Sequence, residues 1–103
     1  MTNAEIAAAI IGKARDLFGQ GPAAFDYHMA AGSIPAIREY QNAAYLIANE
    51  GHENDDADTK SGRLWELLAT VKPDMDAYRE RCKERSYVGW STASGGPIRY
   101  ADR

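Results

Sequence analysis

Few side chains in this sequence are equipped for chemistry, and their spacing limits what each can do. Asp55, Asp56 and Asp58 are crowded with Glu53 and Asn54 into residues 52–62. A helix–loop–helix calcium site needs oxygen donors at its first, third and fifth positions, glycine at the sixth and a bidentate glutamate at the twelfth. Counted from Asn54, Asp56 and Asp58 fall correctly, but Thr59 takes the glycine position and Trp65 the glutamate position. The stretch therefore reads as a solvated loop, or as the start of a helix capped by Asn54 whose aspartates meet the positive end of the helix dipole. His52-Glu53 opens like the helical zinc pair, in which two histidines one turn apart hold the metal. Asp56 stands where the second histidine belongs, and His28 lies in a different predicted helix. No metal or other cofactor is expected.

Cys82 has Arg79, Arg81, Lys83 and Arg85 close by in sequence, a setting that favours a reactive thiolate. It also follows Met75 and Tyr78 at helical spacing, which places it on an apolar face as a buried structural cysteine. No catalytic constellation accompanies it, and the chain is expected not to be an enzyme. Arg79 and Lys83 give the same segment a basic surface, interleaved with Glu80 and Glu84. Alternating charges of this kind usually form a solvated face. The alternative is a nucleic-acid grip, in which Arg79 and Lys83 hold phosphates while Tyr87, Trp90 and Tyr100 stack on bases. Ser94-Gly95-Gly96-Pro97 lacks the Lys-Ser/Thr of a phosphate loop. A helix-turn-helix centred on Gly32-Ser33 would offer Arg38 as the sole cation of its recognition helix.

These residues must be positioned by helices. Thr2 and Glu5 form a capping box ahead of a helix over residues 4–18, with Ile6, Ile10 and Leu17 on one face and Ile11 and Phe18 widening it. Gly19 and Gly21 end that helix, and Pro22 opens a short one through residue 31, with Phe25 and Met29 one turn apart. Gly32 stops it, Ser33 and Pro35 start the next, and Ile37, Tyr40, Ala44 and Ile47 carry that helix to about Glu50, with Gly51 beyond. A fourth helix presents Leu64, Leu67, Leu68 and Val71, with Trp65 beside them. The residue before a proline avoids helical dihedrals, so Lys72-Pro73 predicts a break and a fifth helix from Pro73 to about Arg85. From residue 86 the helical pattern gives way to glycine, serine and aromatics. The expected architecture is all-α: one domain over residues 1–103, a bundle of about four to five short helices over 1–85 and an irregular tail over 86–103.

The 103 residues suit one domain. A net charge of −3 disfavours binding driven by phosphate neutralisation across the whole surface. The charge is uneven: residues 51–62 carry one basic and four acidic side chains, residues 63–103 eight and six. One cysteine cannot form an intramolecular disulfide. No apolar run reaches membrane-spanning length and no leader pattern opens the sequence, so the expected location is the cytoplasm. The expected function is that of a small acidic interaction module: an adaptor or inhibitor, of the kind phages and plasmids encode, that meets a basic surface of a nucleic-acid-handling complex. Asp55, Asp56 and Asp58 would steer it, and Tyr87, Trp90 and Tyr100, of residue types enriched at interface hot spots, would anchor it. The sequence does not choose between a monomer and a homodimer.

Overall fold

Four helices follow one another in the computed structural model, which describes residues 1–88, with side chains through Arg85: α1 (Asn3–Phe18), α2 (Pro22–Ala31), α3 (Ile34–Ala48) and α4 (Ala57–Val88). There is no strand among the described residues. The capping box forms as the sequence predicts. The Glu5 amide donates to the Thr2 hydroxyl at 3.1 Å, and the Thr2 amide donates to the Glu5 carboxylate at 2.8 Å. Gly32, at φ 72°, closes α2 by turning its amide back onto the His28 and Met29 carbonyls. A Cβ here would also meet the Arg79 guanidinium at 2.6 Å, so glycine serves both the turn and the approach of α4.

α1 and α3 share the most extensive contact. Their buried residues include Ala7, Ile10 and Ala14 on α1 and Ala36, Ala43 and Ala44 on α3. Small side chains let the two backbones approach closely, with Ile10 as the bulky filler. Leu17, expected on this face, is 40% exposed instead: it continues the spacing of Ala7, Ile10 and Ala14 but falls in the last turn of α1. Phe25 of α2 is fully buried and meets Phe18 edge to face, with ring centroids 5.7 Å apart.

The expected break at Lys72-Pro73 does not occur. The fourth and fifth predicted helices are one 32-residue helix with Pro73 inside it, about 48 Å long at 1.5 Å per residue. Leu64, Leu68, Val71, Met75, Tyr78 and Cys82 recur at alternating spacings of four and three, straight across the proline. All six join the core cluster or pack against it. A continuous buried face outweighs the local penalty of Pro73, whose own side chain is exposed. The helix also runs on to Val88, so the irregular tail does not begin at residue 86; residues 89–103, with Trp90 and Tyr100, lie outside the described residues.

Asn49 joins the end of α3 to the start of α4. It is a buried polar residue, 4% exposed. Its amide donates to the carbonyls of Tyr45 and Lys60 at 3.0 and 3.1 Å and accepts from Arg63 at 3.1 Å, so the cost of burying it is met on both sides. The expected cap at Asn54 shifts to Asp56. Its carbonyl receives the Lys60 amide and its carboxylate the Thr59 hydroxyl, because α4 begins at Ala57.

Candidate functional site

Three places combine polar groups with shape, and they differ in what they leave available. The first is centred on Asp26, the lone carboxylate of α2. Its side chain is 16% exposed. Arg15 of α1 grips both carboxylate oxygens, at 2.9 to 3.3 Å. Arg85 of α4 donates at 3.0 Å, and the buried Tyr78 hydroxyl also donates to it. Burial works against the Arg15 charge, but its contacts with Asp26 outweigh this and raise its pKa. Burial, reinforced by the bond to Asp26, raises the Tyr78 pKa strongly. Both carboxylate oxygens are occupied by these donors, so the cluster ties α1, α2 and α4 together and offers no free base.

Cys82 lies one turn beyond Tyr78, 1% exposed, with Arg85 at 3.4 Å from its sulfur. Burial pushes its thiol pKa above the usual 9.0 despite the nearby arginines, which is the behaviour of a structural cysteine. Tyr40 follows the same rule: burial first, then the Asp76 charge, lifts its pKa from 10.0 to about 12. All three groups are neutral in the folded protein where the unfolded chain already ionises. Their contribution to stability is therefore complete below about pH 9 and is lost as pH rises through the folded values. Urea midpoints measured from pH 8 to 12 are expected to fall, and Tyr40→Phe should remove roughly 1–2 kcal/mol of the loss between pH 10 and 12.

The second place is a groove of about 270 Å³ between α2, α3 and α4. Met29, Ile37, Tyr40, Leu68 and Met75 supply its apolar lining, while Lys72, Asp76 and Arg79 line its α4 wall. Lys72 pairs with Asp76 at 2.9 Å, both well exposed. Arg79 spends its Nε–H on the Met29 carbonyl at 2.9 Å.

The third place is a wide cleft of about 530 Å³ between α1 and the end of α3. Asp16, Glu50 and Glu53 line it, with Lys13 as the single cation among the described residues there. Leu46 lines it too, 47% exposed. Hydrogen bonds from its own and the Gly51 amide hold the Glu53 carboxyl below its usual pKa, so it is anionic at neutral pH.

The residues singled out in the sequence scatter over these features. Asp55 is bound by Arg63 at 2.5 Å and has His52 at 3.8 Å. Asp56 precedes α4, where the Thr59 hydroxyl lowers its pKa. Asp58 sits exposed in the first turn. Two of the three aspartates thus help to build the start of α4. On the basic face, Arg79 packs inward onto α2 and Lys83 pairs with Glu80 at 3.0 Å. Tyr87 falls in α4, and Trp90 and Tyr100 lie outside the described residues. Sequence reading missed Asp26, Asp16, Glu50 and Leu46. Only Asp26 left a trace, as the single charge in α2. No group of three His, Cys, Asp or Glu side chains is placed to hold a metal among the described residues, and no helix there is long and apolar enough to cross a membrane. Comparison of the chain with protein-family models, with curated proteins and with solved structures finds no match.

Proposed function

We propose that this chain is a non-enzymatic protein-interaction module, an adaptor or inhibitor of the phage or plasmid type, that docks a basic surface of a nucleic-acid-handling complex. The observation that carries this reading is the cleft whose lining Asp16, Glu50 and Glu53 share with a half-exposed leucine and a single lysine. Carboxylates around an apolar contact give a partner both steering and a desolvated anchor. Asp58, exposed in the first turn of α4, adds a further carboxylate to the surface. In a reducing cytoplasm the buried Cys82 stays a thiol and adds nothing to recognition.

Nucleic-acid binding through α4 has less support, because its basic residues alternate with Glu80 and Glu84, Lys83 pairs with Glu80 and Arg85 is tied to Asp26. The test is capture of partners from the native host with and without nuclease. A protein partner that survives nuclease is expected, and reversing Asp16, Glu50 and Asp58 to lysine should weaken its binding at least about tenfold. Capture that depends on nucleic acid, or binding indifferent to all three reversals, would overturn the reading.

A further inference from the structure

The groove and the cleft lie on opposite sides of α3. Ile37, in the groove, and Leu46, in the cleft, are nine residues apart, which is two and a half helical turns. A molecule therefore cannot fill its own groove with its own Leu46. The chemistry of the two surfaces is complementary. The groove is largely apolar, with Lys72, Asp76 and Arg79 on its α4 wall, net positive, and the two cations seven residues or about 10 Å apart along the helix. The outer, solvent-facing ridge of α3 carries the half-exposed Leu46, with Glu39 two turns back, and Glu50 follows just beyond the end of the helix at Ala48.

We infer that the groove receives the Leu46 ridge of a second copy of this chain, so that the protein associates head to tail. Leu46 enters between Ile37, Tyr40 and Leu68, where the thioethers of Met29 and Met75 adapt to its shape. Glu50, four residues on from Leu46 and just past the end of α3, is the carboxylate that meets one of these cations. The Lys72–Asp76 pair is solvent-exposed and opens at little cost. Arg79 commits only its Nε–H to Met29 and has further N–H donors for an incoming carboxylate. The contact joins two different surfaces, so each added copy leaves a free groove at one end and a free ridge at the other. The inference rests on the acidic cleft being a docking surface, and it names one partner for that cleft.

Sedimentation equilibrium of the full chain tests it. The weight-average mass is expected to rise with concentration, to pass that of a dimer and to fall on adding salt. Glu50→Lys and Lys72→Glu, both at exposed positions whose folding circular dichroism can check, should each weaken association about tenfold or more. An equimolar mixture should restore it, because the ridge lysine introduced in one variant meets the groove glutamate introduced in the other, and the remaining contacts are native. A monomer at every concentration, a mass that stops at the dimer, or a mixture no better than its components would overturn the inference. Any of these, with host-partner capture still sensitive to the Asp16, Glu50 and Asp58 reversals, removes self-association alone. Insensitive capture removes the broader reading.

Discussion

Asp26→Ala is expected to destabilise the folded protein by about 3 kcal/mol, read as a lower urea midpoint at unchanged slope. The loss has three parts. The Tyr78 hydroxyl, buried against Asp26, would lose its acceptor, which costs roughly 1–3 kcal/mol. Arg15 would keep its charge in a half-buried site with no counterion. Arg85, 57% exposed, would be rehydrated and contribute little. Alanine's better helix propensity returns a few tenths of a kcal/mol. Asp26→Asn keeps an acceptor but loses the charge, so about half the effect should remain. Tyr78→Phe in the Asp26→Ala background should then recover stability, since it removes the orphaned hydroxyl. An Asp26→Ala midpoint equal to that of the parent protein would show that the three helices hold together without this carboxylate.

Pro73→Ala should act in the opposite direction. Inside a helix, proline removes one backbone hydrogen bond and crowds the preceding turn, at a cost of about 3 kcal/mol. Pro73 is exposed, so alanine sacrifices no packing. The unfolded chain gains freedom when proline is lost, which offsets roughly 0.4–1 kcal/mol. A net stabilisation of about 2 kcal/mol is expected, seen as a higher melting temperature and an unchanged helical circular dichroism signal. A midpoint that does not move would mean that α4 has already relieved the strain through its neighbouring turns.

Pro73 also marks where sequence reading and structure part company. The capping box at Thr2 and Glu5, the turn at Gly32 and the Pro22 and Pro35 starts depend on residues within four positions of one another, and all were legible. The Lys72-Pro73 break follows an equally local rule and fails. The residues that override it, from Leu64 to Cys82, act through a core contributed by three other helices. The apolar spacing of four and three was visible on both sides of the proline, and extending it across would have found α4. Asp26 was harder to place, because its partners stand 11, 52 and 59 residues away. The acidic cleft has the same origin. Asp16 and Glu50 are ordinary surface charges in their own stretches of sequence, and only the packing of α1 on α3 makes them neighbours. The aspartates of residues 55–58 drew attention because they are adjacent, yet adjacency served the start of α4 more than a surface.

The dependence of α2 on α4 has a consequence for synthesis. Apart from the contacts of Phe18 with Phe25 and of Arg15 with Asp26, α2 leans chiefly on a helix that the ribosome makes more than forty residues later. While the chain is being made, α1 and α3 can pair as soon as both have emerged, but α2 lacks its most extensive partner until Tyr78 and Arg85 leave the exit tunnel. The nascent protein therefore leaves the α4-facing side of α2 uncovered until α4 emerges, and this is the interval in which a chaperone or a protease would meet it.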